Sequence, residues 1–328
     1  MTISLRWPIF VKVSIVFSIV LIANLQAEPV IEFIPDRNDE TLFNFETDEM
    51  SGTIRTKGNY HGVSRLIDKR TGKQVIDERY SALNLFKLMS VNQVMDQPRK
   101  MESEVTFVGG QIDIRWPASE GYQGTVNARY EISGKKSIDL IITTKANATY
   151  RSYEVFLSSY FDKSFQPYVF LQGRGKKKPE LVLPRFSEVF KDSVLVFARD
   201  FHAMRPCGDG RWQRSERGEP NVQMTAVRPF AKCLAIVKDP ESDLGVVLTA
   251  KPEDCYAIST RYYSEKPEER NTSYTAFDLS LFGDDFSPGE SRSVRVRLSL
   301  TKLDEAMTAP FKIHEDLLAE KSDAEPSP

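Results

Sequence analysis

Across residues 50–300 the apolar side chains fall on every second position, and that period decides what the chain can fold into. Val294, Val296, Leu298 and Leu300 alternate with Arg295, Arg297 and Ser299. Successive side chains of a β-strand point to opposite faces, so such a run buries one face and wets the other. Val105 and Phe107 alternate with polar residues, Gly109-Gly110 interrupts, and Ile112, Ile114 and Trp116 resume. Glycine accepts the positive φ of a primed turn, so this pair predicts a hairpin. Val126, Ala128, Tyr130 and Ile132 form the next run; Ser133-Gly134-Lys135-Lys136 turns the chain, and Ile138, Leu140 and Ile142 return. Further runs lie at 153–158, 222–226, 233–237, 245–249 and 276–282. Many short strands broken by turns predict a mainly β chain, here a large antiparallel β-sandwich over residues 28–302. Residues 194–198 are apolar on both faces, which places that strand centrally.

Helical spacing is scarce. Residues 80–91 fit a short helix and a buried strand equally well. Near the C-terminus, Pro310 suits the first turn of a helix, and Ile313, Leu317 and Leu318 form a narrow stripe ending at Lys321. Residues 303–328 are therefore read as a short C-terminal helix with a polar, disordered tail.

The first 27 residues stand apart. Arg6 and Lys12 precede 11 uncharged residues, 13–23, and Ala27 precedes Glu28-Pro29. This is the layout of a secretory signal peptide, and the apolar run is shorter than the ~20 residues of a spanning helix. Leu25 stands where a small residue is expected before the cleavage point, so an uncleaved anchor is the alternative. The expected location is secreted or periplasmic, with membrane contact only through this segment.

Charge excludes one partner class. With 44 Lys and Arg against 46 Asp and Glu, the chain carries −2 and lacks the basic excess of a nucleic-acid binder. Cys207, Cys233 and Cys255 lack CxxC spacing, and no paired histidines accompany them, so neither a metal nor another cofactor is implied. They fit three small buried side chains, or one disulfide and one free thiol. Asn147-Ala148-Thr149 and Asn271-Thr272-Ser273 match the glycosylation acceptor pattern.

The densest set of chemical groups follows the apolar strand at 194–198. It runs Arg199-Asp200-Phe201-His202-Ala203-Met204-Arg205 and on through Cys207-Gly208-Asp209-Gly210-Arg211-Trp212. A rigid strand ending in such a loop presents binding groups efficiently. Histidine is the side chain best suited to moving a proton near neutral pH, and Asp200 is the carboxylate nearest His202 in sequence, making these two the expected proton-moving pair. Arg205, Asp209 and Arg211 offer charge-assisted hydrogen bonds to hydroxyls or a uronate, and Trp212 a flat face for a sugar ring. A second set, Arg261-Tyr262-Tyr263-Ser264-Glu265, adds aromatic contact surface, and His61 stands beside Tyr60 at the start of a strand. Arg151, Glu154 and Tyr160 surround an alternating strand and line a sheet face or pair across it. For both loops, the plain alternative is a surface whose charges pair with one another.

Two segments carry a resemblance. Gly58-Asn59-Tyr60-His61-Gly62-Val63-Ser64-Arg65-Leu66-Ile67-Asp68 reads as an early strand followed by a turn at 69–73. Phe282-Gly283-Asp284-Asp285-Phe286-Ser287-Pro288-Gly289-Glu290 leads into the last alternating strand. With the strand count between them, they resemble the galactose-mutarotase-like β-supersandwich, a fold shared by sugar epimerases and by domains of polysaccharide lyases and glycoside hydrolases. The resemblance implies a poly- or oligosaccharide ligand. Epimerases of this fold use two histidines and a glutamate. Here His61, His202 and His314 stand outside that family's sequence contexts, and no glutamate is assigned as base. The expectation is an exported carbohydrate-binding or carbohydrate-processing protein with an unassigned reaction. The alternative is a non-catalytic cell-envelope or structural interaction module. Convergence of His202, Asp200, Trp212, Tyr262 and His61 in one pocket would favour an enzyme.

Overall fold

The computed structural model describes residues 32–175, 177–184, 193–209, 211, 222–261 and 274–320, apart from the side chains of Ser193, Val222, Gln223 and Arg261. The chain divides into two units, Met1–Val30, which lies outside the described residues, and Ile31–Pro328. In the second unit, β1 (Ile34–Pro35), β2 (Leu42–Glu46), β3 (Met50–Arg55), β4 (Gly62–Asp68) and β5 (Lys73–Gln74) form a five-stranded antiparallel meander. Then come β6 (Asn84–Met89), β7 (Glu104–Val108), β8 (Gln111–Trp116), β9 (Gly124–Ile132) and β10 (Ser137–Ala146). β11 (Glu154–Asp162), β12 (Gln166–Leu171), β13 (Glu180–Val182) and β14 (Ser193–Ala198) lead to the helix α1 (Phe201–Gly208). β15 (Val222–Ala226), β16 (Phe230–Lys238), β17 (Leu244–Ala250), β18 (Cys255–Arg261), β19 (Tyr274–Phe282) and β20 (Ser291–Lys302) complete the strands, and α2 (Thr308–Ala319) follows.

Two large sheets enclose the core. One has nine strands in the order β13-β12-β16-β17-β20-β10-β9-β8-β7, and the other six, β15-β14-β18-β19-β11-β6. Their inward faces share one apolar cluster, to which Leu140, Val296 and Leu248 contribute from the first and Leu157, Leu279 and Ile258 from the second. The mainly β antiparallel sandwich follows directly from the alternation, with one departure: β14 and β15 pair in parallel.

Local chemistry places the turns. Gly109 and Gly110 have φ of 60° and 76°, and Val108 pairs with Gln111 across them, as the hairpin reading expects. Residues 84–89 resolve as a buried strand rather than a helix. Two readings are corrected, the place of one strand and the membership of the helical stripe. The strand at 194–198 is not central but next to the sheet edge; its outer face is apolar because α1 packs there, with Ala203 and Cys207 against Val194, Val196 and Ala198. Pro310 lies in the first turn of α2, two residues after its start, and the buried stripe is Pro310, His314 and Leu317 while Leu318 is exposed. His314 replaces Leu318 inside because Thr249 Oγ1 lies 2.7 Å from its Nδ1. Residues 321–328 lie outside the described residues. All three cysteines are buried and carry free thiols. No helix among the described residues is long and apolar enough to cross a membrane.

Candidate functional site

The outer face of the six-stranded sheet departs from what alternation predicts. Val155, Leu157 and Phe161 of β11 face the core, so Glu154, Phe156, Ser158 and Tyr160 face outward. Register places Asn84 beside Ser158, Ser158 beside Asp278, and Asp278 beside Ser259, a row across β6, β11, β19 and β18. Three interstrand steps make this row roughly 14 Å long. An outward row of polar residues should be wet, yet these four are 0%, 1%, 4% and 1% exposed. Ser259 Oγ lies 3.4 Å from Asp278 Oδ2, and Asn84 Nδ2 donates to the Asn59 carbonyl at 3.3 Å. Asn84 Oδ1 is buried without a hydrogen-bond partner. A buried acceptor left unsatisfied costs on the order of 1–3 kcal/mol and marks a place where a further donor fits.

Aromatic side chains flank the row on one side, along β11 and β19. Tyr60, Tyr80, Tyr160 and Tyr274 pack with ring centroids 4.9–5.9 Å apart. Tyr160 is buried, whereas the other three are half-buried and offer ring surface to a ligand. The Arg79 guanidinium lies 5.3 Å from the Tyr80 ring centre. Arg79 also lines a cleft of about 410 Å³ with Asp77, Glu78, Asp162 and Lys163. Toward the sheet edge, Phe86, Met89 and Phe156 form an apolar patch, and the Arg99 guanidinium stacks 3.6 Å from the Phe86 ring centre.

On the other side of the row, four residues back along β11, lies a buried charge cluster. Tyr256 donates its hydroxyl to Glu154 Oε2, and Arg211 Nη1 lies 3.6 Å from the same oxygen. Arg211 also donates through Nη2 to Asp209 at 2.6 Å and through Nη1 to the Ser152 carbonyl. Burial raises the Glu154 pKa above the usual carboxylate value, opposed by Arg211 and Tyr256. Arg211 thereby fastens the segment after α1 to β11. Glu154 and Asp278 are separated by four residues along β11 and one interstrand step, about 14 Å in all. That exceeds the ~5–9.5 Å of the carboxylate pairs used in glycoside hydrolysis.

The expected proton-moving pair does not form. Asp200 caps α1, accepting from the Ala203 amide at 2.8 Å and from Arg199 Nε at 2.8 Å. Burial works to raise its pKa, but these bonds outweigh it and the value is lowered. His202 and Arg205 project from α1 as exposed side chains. The loop read from the sequence is a helix because Asp200 supplies the side-chain cap that starts one. Asp209 and Arg211 do come together, but on each other and on Glu154. Trp212, Tyr262 and Tyr263 lie outside the described residues, as does the Arg261 side chain. His61 is buried, accepts from the Leu85 amide at 3.1 Å and packs on Trp116. Burial brings its pKa down to about 3 despite a bond to the Gly58 carbonyl, so it is neutral and held in one tautomer. The three histidines occupy separate places: His61 behind β6, His202 on α1, and His314 over β17. Glu154 and Tyr160 were legible as a sheet face. Asn84, Ser158, Asp278, Ser259, Tyr80 and Tyr274 were not singled out, since serine and aspartate between apolar residues are also the mark of an ordinary wet face.

No family model matches this sequence, and no curated protein matches it. Several solved structures are weakly similar to it. A candidate aldose 1-epimerase from Escherichia coli K12 aligns at 9% identity and a TM-score of 0.49, covering 80% of this chain and 99% of that one. Galactose 1-epimerase from Lactobacillus acidophilus aligns at 10% identity and 0.44, covering 83% and 98%. Heparan sulfate lyase HepC from Pedobacter heparinus aligns at 8% and 0.41, covering 80% of this chain and 35% of that one. The chain thus bears a weak galactose-mutarotase-like fold resemblance, and scores below 0.5 carry no chemistry over to it.

Proposed function

We propose that this chain is an extracytoplasmic carbohydrate-binding protein whose saccharide sits on the outer face of the six-stranded sheet. The observation that carries the reading is the cluster of partly exposed tyrosines that flanks the polar row of Asn84, Ser158, Asp278 and Ser259 and borders the Arg79 cleft. A sugar ring has a C–H face that stacks on aromatic rings and a rim of hydroxyls that needs donors and acceptors; the half-buried tyrosines supply the first, and the adjoining cleft of Asp77, Glu78, Arg79, Asp162 and Lys163 the second. Binding without turnover fits better than processing: the row holds one carboxylate, Asp278, and the expected base His202 is exposed on α1. The extracytoplasmic part rests on the secretory pattern of residues 1–27. Binding to arrayed neutral and uronic-acid oligosaccharides tests the proposal, using wild type, Tyr80→Ala and Asp278→Asn. The expected result is retention of one glycan class by wild type and at least a tenfold loss in each variant. Wild type that retains no glycan, or folded variants that bind unchanged, would overturn it. New reducing ends or unsaturated products from the bound glycan would move the reading from binding to processing. The mature N-terminus of exported protein tests the location, with Glu28 expected.

A further inference from the structure

Three cysteines allow three pairings, and the tertiary structure separates them. Cys233 lies on the inward face of β16 in the nine-stranded sheet, and Cys255 on the inward face of β18 in the six-stranded sheet. Both are 0% exposed. β16 and β18 approach to within 8 Å between Cα atoms. Facing sheets ordinarily lie ~10 Å apart, and disulfides span ~4.4–6.8 Å between Cα atoms. Cys233 lies near enough to Cys255 to perturb its thiol, and Cys255 Sγ lies 3.2 Å from the Ala257 carbonyl. Cys207 is on the other side of the six-stranded sheet, on the face of α1 that packs against Val194, Ala198 and Tyr256, so the sheet itself stands between it and the pair.

We propose that Cys233 and Cys255 form a disulfide that ties the two sheets together and leaves Cys207 as a free thiol. The oxidant is a small-molecule or protein disulfide. A cysteine thiolate attacks it, giving a mixed disulfide and releasing one thiol. The second cysteine then displaces the other thiol, so that two protein S–H bonds become one S–S bond and the oxidant leaves as two thiols. Burial pushes the Cys255 thiol far above its usual range, which suppresses the thiolate once the sandwich has closed. The bond therefore forms while the sheets are still open. An oxidising compartment, where the expected secretory segment would deliver the chain, keeps such a bond.

The test refolds the full chain in a glutathione redox buffer, unfolds it without reductant and alkylates it with iodoacetamide. The expected result is one alkyl group per chain, on Cys207, rising to three after reduction, with one internal cross-linked peptide pair holding Cys233 and Cys255. A Cys207→Ser variant should take up none before reduction. Three alkyl groups without reductant would overturn the proposal, as would a cross-linked peptide that contains Cys207.

Discussion

Replacing Arg211 with alanine tests the charge cluster most directly. Arg211 is 4% exposed and Glu154 3% exposed, so removing the guanidinium leaves a carboxylate inside the protein without its cation. Breaking a buried pair from one side typically costs about 3–5 kcal/mol. Two features put this case at the lower end. The Asp209 side chain is 16% exposed and can regain water, and Glu154 keeps the Tyr256 hydroxyl. Glu154 can also take up a proton. Its pKa is already above the usual 4.5 through burial, and losing Arg211 raises it further. A folded-state pKa above the unfolded one means stability that is present below the unfolded pKa and lost as pH rises through the folded pKa. Arg211→Ala should therefore cost about 3 kcal/mol at pH 7 and measurably less at pH 5. Urea unfolding of wild type, Arg211→Ala, Glu154→Gln and the double variant at both pH values measures this. The double variant should be more stable at pH 7 than the two single costs sum to, by at least about 1.5 kcal/mol. Equal costs at both pH values together with strict additivity would refute the account.

Two further outcomes follow from other residues. His61 has a folded-state pKa of about 3 against the usual 6.5, so stability falls as pH drops below 6.5. The loss should reach roughly 2 kcal/mol by pH 5, and His61→Gln should flatten that part of the urea-midpoint profile; parallel profiles would contradict it. Asp200→Ala removes the cap of α1 and should cost about 1 kcal/mol, read by urea unfolding together with faster hydrogen exchange at the Ala203 amide. Exchange unchanged at that amide would show that the cap bond does not hold the helix end.

How much could be read without coordinates depends on the range of the interaction. The hairpin at Gly109-Gly110 and the strand ending in Leu300 were legible because side-chain period and turn chemistry act over a few residues. The cap at Asp200 was equally local, yet the same residues also read as a catalytic loop, since an aspartate before a histidine serves either role. His314 could be seen to lie in a helix, but not that it faces inward, because its partner Thr249 is 65 residues away.

Alternation by itself determined that the chain is a sandwich and which residues share a face. It left undecided which face is covered and which strands are neighbours, because period is a property of one strand and register a property of two. Asn84, Ser158, Asp278 and Ser259 line up only once β6, β11, β19 and β18 have paired across long stretches of chain. Cys233 and Cys255 likewise meet only when two sheets close on each other. Those decisions were made by tertiary packing, which brings distant segments into the few ångströms over which hydrogen bonds, ion pairs and thiols act.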